Sequence, residues 1–145
     1  MQYQISEDNE QTILINKIVK RNRIIVGTTI LSIVILIHIF RIGSYLSGEL
    51  YKLYYSYASD FMIPFGYYFL ICIVDRMIFL EKWYLKFSII FGLTSLAEIQ
   101  QYYGIYALGS TFDYLDILMY GTGVGLAVIF ERYIFKRFFK YWDYK

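Results

Sequence analysis

Acidic side chains beside long apolar runs are the residues of this sequence that could do chemistry. Glu98 and Gln101 are three residues apart, as are Asp113 and Asp116, so each pair would share one face of a helix. Asp60 precedes a further apolar run. An ionisable side chain at membrane depth is costly and usually faces a partner or a watery cavity, which favours a functional role for Glu98. Glu98 would then accept or donate a proton, while Asp113 or Asp116 would bind a cation or orient a substrate.

Basic and amide groups that could bind a substrate are predicted at the same end of the apolar runs. His38 and Arg41 are three residues apart where the first run ends. The candidate catalytic residues are therefore Glu98, Asp113 and Asp116. The candidate substrate-binding residues are Gln101, Asp60, His38 and Arg41.

Each candidate also has an ordinary structural explanation. Asp60 and Asp113 can cap helices, and the helix dipole would favour Asp116 in a first turn. His38 can be a packing residue, and Arg41 can extend its side chain to the membrane interface. At the level of sequence both interpretations stay open.

The residue types present restrict metal binding. One histidine and one cysteine, Cys72, cannot supply the usual nitrogen and sulfur ligands of a zinc site. Mg²⁺ and Ca²⁺ take oxygen ligands, which the carboxylates could offer, although their spacing does not match an EF-hand loop. We assign no metal and no cofactor, and a divalent cation at these carboxylates stays open.

Composition predicts which elements must position these side chains. The chain has 145 residues, enough for one domain, and 58% of them are hydrophobic and 21% aromatic. With its charges gathered in a few places, the sequence predicts an all-α membrane protein, a bundle of four transmembrane helices. The predicted spans are residues 24–40, 61–80, 86–103 and 115–131. Residues 1–23 would form an N-terminal cytoplasmic segment, and the basic, aromatic residues 133–145 a tail along the inner leaflet.

The distribution of lysine and arginine predicts the orientation of the bundle. Twelve of the 14 lie in the two terminal segments and the second loop, and two, Arg41 and Lys52, lie in the first loop. The positive-inside rule then places both termini in the cytoplasm and the acidic candidates at the outer face. The net charge of +2 gives no indication of nucleic-acid binding. We expect membrane lipids as partners and a multi-pass location in a membrane.

Two spans carry residues with particular consequences for helix geometry. Pro64 is predicted in the first turns of the second span, where its missing N–H is tolerated. Gly121 and Gly125 form a GxxxG pair in the fourth span. Such a pair allows close packing of a neighbouring helix, in the same chain or in a second copy that would form a homo-oligomer.

Two stretches of the last third of the chain carry a family resemblance. Residues 95–101, SLAEIQQ, are followed by residues 109–116, GSTFDYLD, and then by Gly121 and Gly125. This pattern resembles the VanZ-like family of small integral membrane proteins. In that family a glutamate and a nearby glutamine end one span, and Phe-Asp and a second aspartate open a glycine-bearing last span. The resemblance implies a role at the cell envelope, including an effect on susceptibility to the glycopeptide teicoplanin.

Three functions remain open at this stage. The first is binding or modification of a lipid-linked or cell-envelope component at the outer leaflet, through Glu98, Gln101, Asp113 and Asp116. The second is a small transport component in which Glu98 and His38 relay protons or bind a cation. The third is a structural membrane subunit that packs through the glycines of the fourth span.

Overall fold

The computed structural model describes residues 2–74, 78–105 and 112–143, and the described residues contain no strand, so the predicted all-α class is confirmed. The helices are α1 (Gln2–Ile39), α2 (Gly48–Val74), α3 (Trp83–Tyr102), α4 (Tyr114–Ile129) and α5 (Lys136–Phe138). Short 3-10 helices occupy Ile42–Tyr45 and Ile78–Glu81, and a π-helical segment, Phe130–Phe135, joins α4 to α5.

Helix α2 lies at the centre of the bundle and packs against α1, α3 and α4. Its buried face contributes Tyr68, Phe69 and Cys72 to the core, together with Ile90 of α3 and three residues of α4. Those three are Val124, Ala127 and Val128. Helix α1 packs mainly along α2, and its residues Asn22 and Arg23 also donate hydrogen bonds to the backbone of the C-terminal tail.

Three helical stretches are long and apolar enough to cross a membrane: Asn9–Ile39, Gly48–Val74 and Tyr114–Phe138. Helix α3 is not among them, although its 20 residues extend about 30 Å. The charged side chains of Lys86 and Glu98 lower its hydropathy, yet both are buried, with 0% and 1% of their surface exposed. The exposed side chains of α3 include Leu93 and Leu96.

The second apolar run is part of a longer helix than its sequence indicated. The predicted span began at residue 61 and ended at residue 80, whereas α2 begins at Gly48 and ends at Val74, and residues 75–77 lie outside the described residues. Hydropathy identifies the part of a helix that is apolar enough to lie in lipid. The same helix can begin earlier, in polar or tyrosine-rich turns that hydropathy does not detect. Pro64 is consequently buried well inside α2, and its placement in the first turns was wrong.

The fourth helical stretch also runs past its predicted end. Residue 131 was expected to end the span, but the helical path continues through the π segment to Phe138. Glu131 does not end it because this side chain points inward and is 2% exposed. The tail was predicted to lie along a lipid surface. Within it Trp142 is buried, and the Trp142 carbonyl oxygen accepts a hydrogen bond from Arg23 Nε at 3.0 Å.

Helices α2 and α4 come into backbone contact at Gly123 rather than at the predicted glycine pair. A Cβ atom at Gly123 would lie 2.2 Å from the carbonyl oxygen of Phe61, so α2 and α4 meet backbone to backbone. At Gly121 a Cβ would meet the ring of Phe91 at 3.3 Å. No atom of the described residues comes within 4 Å of a Cβ built at Gly125.

Candidate functional site

A cavity of about 370 Å³ lies between α2, α3 and α4, close to the beginning of α4. Three carboxylates contribute to its wall, so we call it the acidic cavity. Its lining residues are Ser59, Asp60, Ile63, Pro64, Tyr67, Thr94, Glu98, Gln101, Asp116 and Tyr120. The structure therefore brings together four of the predicted site residues, Asp60, Glu98, Gln101 and Asp116.

Glu98 is buried at the wall of the cavity, and three donors satisfy its carboxylate. Its Oε1 accepts a hydrogen bond from the backbone N–H of Asp113 at 2.7 Å. Its Oε2 lies 3.2 Å from the amide nitrogen of Gln101 and 3.3 Å from the hydroxyl of Tyr120, both of which donate. Glu98 thus ties the end of α3 to the start of α4 and positions two other cavity side chains.

Asp113 acts as the N-cap of α4. Its backbone is extended, and its Oδ1 accepts a hydrogen bond from the backbone N–H of Leu115 at 2.9 Å. The capping explanation is therefore confirmed, and the side chain is not part of the cavity wall. Asp113 contributes to the site indirectly, because its backbone N–H donates a hydrogen bond to the carboxylate of Glu98.

One carboxylate oxygen of Asp116 accepts no hydrogen bond from the described residues. This atom, Oδ1, is buried. The acidic groups that act electrostatically on Asp116 are Asp60, Glu98 and Asp113. A buried, unpartnered carboxylate oxygen is unfavourable, so Asp116, which lines the cavity, is a side chain that would gain from a donor on a ligand.

Pro64 leaves one backbone carbonyl of α2 without its usual intrahelical donor. Because Pro64 has no N–H, the carbonyl oxygen of Asp60 receives no hydrogen bond from the residue four positions later in α2. Both Pro64 and Asp60 line the cavity. The cavity wall carries three carboxylates, and one of their oxygens, Asp116 Oδ1, has no hydrogen-bond partner among the described residues.

Tyr120 and Pro64 belong to the cavity although the sequence analysis did not assign them to it. Tyr120 lies four residues after Asp116, one helical turn along the same face of α4. Pro64 lies four residues after Asp60 on α2. The same spacing rule that paired the acids would have found both residues, had it been applied to uncharged side chains.

His38 and Arg41 lie in a neighbouring groove of about 410 Å³, which we call the tyrosine groove. Its lining residues are Ile37, His38, Arg41, Tyr51, Tyr54, Tyr55 and Ser59. The Nδ1 of His38 donates to the carbonyl oxygen of Val34 at 2.8 Å, and Nε2 lies 3.2 Å from the hydroxyl oxygen of Ser59. Ser59 lines both the groove and the acidic cavity, so the two share a wall.

No three of the described histidine, cysteine, aspartate and glutamate side chains are grouped so that they could hold one metal ion. The carboxylates of the acidic cavity converge from three helices, and its remaining polar groups are hydroxyls and an amide. The chemistry that this wall offers directly is therefore hydrogen bonding and ionic attraction to a donor.

A second cluster of charged groups lies at the opposite end of the bundle, and we call it the Lys86–Glu131 network. Glu131 accepts hydrogen bonds from Lys86 Nζ and the Tyr68 hydroxyl, and a further one from Trp142 Nε1 at 3.3 Å. Cys72 Sγ lies 3.4 Å from Lys86 Nζ. The network joins α2, α3, the π segment and the tail around a fully buried ion pair.

This network was not predicted from the sequence, because residue 86 begins the third predicted span and residue 131 ends the fourth. Charged residues at the ends of spans are expected to mark the membrane boundary. The opposite charges of Lys86 and Glu131, each beside a predicted apolar run at the same end of the bundle, were the available signal.

Comparison with known proteins gives no further information: no family model matches the chain, and no curated protein or solved structure is significantly similar to it.

Proposed function

We propose that this chain is a bacterial inner-membrane protein that binds or modifies the polar head of a lipid-linked cell-envelope component at the outer leaflet. The observation that carries the proposal is the buried, unpartnered Oδ1 of Asp116 in a cavity walled by three carboxylates. The resemblance to the VanZ-like family favours an envelope component as the ligand.

The proposed topology has four spans, with α3 as the additional one. Its 20 residues match the thickness of a hydrocarbon core, and its two charged side chains are buried within the bundle instead of facing lipid. With the lysine-rich and arginine-rich segments in the cytoplasm, the beginning of α4 and the acidic cavity lie on the outer side.

The acceptor-rich wall supports a ligand that supplies donors. Hydroxyl groups of a sugar or polyol head, or an ammonium group, would supply donors to the carboxylates of Asp60 and Asp116, which line the cavity. A head without donors would leave the same atoms unpaired and would be rejected. The cavity lies between α2, α3 and α4, so in the proposed topology a lipid tail would remain in the bilayer while the head enters the site.

The roles of the carboxylates follow from their partners. Glu98 already accepts three hydrogen bonds, so in this proposal it positions Tyr120 and the start of α4. Asp116 and Asp60 contact the ligand. If the head is modified, Asp116 is the group placed to accept a proton from a ligand hydroxyl, because its Oδ1 is uncommitted.

The experiment that tests the proposal compares the envelope of cells with and without an intact cavity. Membrane lipids and envelope glycans are measured by mass spectrometry in cells that lack the chain and in cells that express wild type, Asp116→Asn or Glu49→Gln. Glu49 is the matched control, since it lies near the beginning of α2 with 90% of its side chain exposed. Protein abundance and teicoplanin susceptibility are recorded in parallel.

We expect at least one species to change on deletion and to be restored by wild type and Glu49→Gln but not by Asp116→Asn at equal abundance. Restoration by Asp116→Asn to the wild-type level would contradict the role of the acidic cavity. An envelope that is identical with and without the chain would contradict the proposed function as a whole.

A further inference from the structure

The tyrosine groove combines a cation, an imidazole and tyrosine hydroxyls in one concave surface beside the acidic cavity. Its volume of about 410 Å³ is sufficient for a small polar group. Its charged side chain is the cation of Arg41 and none of its described lining residues is acidic, whereas the acidic cavity next to it carries three carboxylates. The two neighbouring sites therefore differ in the chemistry that they would recognise.

Arg41 gives the groove its fixed positive charge. Among the described residues no carboxylate forms an ion pair with Arg41, whereas the nearby Lys52 pairs with Glu49 at 3.1 Å. An arginine presents a planar set of donors that matches phosphate, often through two parallel hydrogen bonds. The charge of the groove is thus available to an anion.

The backbone at Arg41 is held in an unusual conformation. Its φ of 45° lies in the left-handed region, and it is the one non-glycine residue among the described residues with a positive φ. Glycine or asparagine occupies such a position with less strain, so the turn alone does not select arginine. A strained residue whose side chain lines a cavity is a pattern found at functional sites.

Ser59 connects the two sites. Its hydroxyl oxygen lies 3.2 Å from His38 Nε2 on the groove side, and the next residue, Asp60, lines the acidic cavity. A molecule that crosses Ser59 would meet positive charge at one end and negative charge at the other. That arrangement fits a head in which a phosphate is joined through a few atoms to an amine or a hydroxyl.

We propose that the tyrosine groove binds a phosphate group, and that groove and cavity together hold a phosphate-bearing molecule whose amine or hydroxyl end lies in the acidic cavity. The second half of this inference rests on the proposed function, because it takes the acidic cavity as a ligand site. The phosphate is borne by a lipid or is free in solution, and both sources offer the same oxygen acceptors to Arg41.

The test measures binding of three probes to the full chain in detergent by native mass spectrometry. The probes are a short-chain phosphatidylethanolamine, a diacylglycerol with the same acyl chains and inorganic phosphate. The variants are Arg41→Asn, which keeps a residue tolerated in the left-handed region, the control Lys52→Gln on the same side, and Asp116→Asn. Thermal unfolding verifies that each variant is folded. If Arg41→Asn does not fold, His38→Gln is tested in its place.

We expect phosphatidylethanolamine to bind at least about tenfold more tightly than diacylglycerol, and Arg41→Asn to weaken its binding by about tenfold or more, since hydrogen bonds to charged groups are worth that much. Lys52→Gln should bind as wild type does. If inorganic phosphate binds and its binding depends on Arg41, free phosphate is a ligand of the groove. If inorganic phosphate does not bind, the phosphate group that the groove binds is carried by a lipid. Equal affinity for diacylglycerol, or wild-type affinity in folded Arg41→Asn, would overturn the phosphate site.

The Asp116→Asn arm separates this inference from the proposed function. Loss of binding in Arg41→Asn with unchanged binding in Asp116→Asn supports the phosphate site and contradicts a ligand role for the acidic cavity. The reverse pattern contradicts the phosphate site and supports the cavity. Loss of binding in both folded variants supports the joint site.

Discussion

The ion pair between Lys86 and Glu131 should respond to substitution in a way that distinguishes a buried pair from a surface pair. Both side chains are almost completely buried, at 0% and 3% exposure. Removing one partner of a buried pair leaves an uncompensated charge and typically costs about 3–5 kcal/mol. We therefore expect Lys86→Met and Glu131→Gln each to reduce the free energy of unfolding by an amount in that range.

The remaining partners rank the two variants. In Lys86→Met the Glu131 carboxylate still accepts hydrogen bonds from Tyr68 and Trp142, so the loss should lie near about 3 kcal/mol. In Glu131→Gln the ammonium of Lys86 loses its counter-charge and retains neutral partners: the new amide oxygen at position 131, Cys72 Sγ at 3.4 Å and the ring of Tyr68 at 5.2 Å. That loss should approach about 5 kcal/mol, because neutral partners compensate a buried charge poorly.

The double variant is the decisive comparison. Lys86→Met with Glu131→Gln removes both charges together, so it should be more stable than either single variant. The assay is reversible unfolding in mixed micelles, followed by helix content. As a matched control, Lys136→Met breaks the exposed pair with Asp143 and should cost no more than about 1 kcal/mol. Losses in the double variant that equal the sum of the single losses would refute the reasoning.

The remaining predictions concern packing and topology. Gly123→Ala should lower the free energy of unfolding by about 1–3 kcal/mol, because its Cβ would overlap the Phe61 carbonyl oxygen, while Gly125→Ala should be neutral in the same micelle assay. Equal effects at the two glycines would contradict the observed contact between α2 and α4. The proposed orientation places Ser47 outside and Glu10 in the cytoplasm, so in intact cells a membrane-impermeant maleimide should label Ser47→Cys but should label Glu10→Cys only after permeabilisation. Cys72 is buried and contributes little background labelling. The opposite labelling pattern would invert the proposed orientation.

Hydropathy predicted the membrane-spanning regions better than it predicted the ends of the helices. The runs at residues 24–40, 61–80 and 115–131 overlap the three stretches that are long and apolar enough to span. Their ends were missed because a helix continues through polar turns wherever its backbone hydrogen bonds persist. Glu131 illustrates the point, since a charge that finds a partner inside the bundle does not end a span.

Spacing along single helices predicted part of the candidate site. The pairs Glu98 with Gln101 and Asp113 with Asp116 were expected near one another, and Asp60, Glu98, Gln101 and Asp116 do line one cavity. Spacing could not show that Glu98 is fully hydrogen-bonded while Asp116 is not, because the partners come from different helices. It also could not separate His38 and Arg41 into a groove of their own, which depends on how α1 packs against α2.

Native mass spectrometry of the chain purified from its own membranes tests the central claim most directly. Wild type and Glu49→Gln should retain a co-purified ligand whose head carries hydroxyl or amine groups, because Asp116 Oδ1 and its neighbours require donors. Asp116→Asn, folded to the same extent, should lose that ligand. Identical ligand spectra for all three proteins would contradict the assignment of the acidic cavity as the binding site.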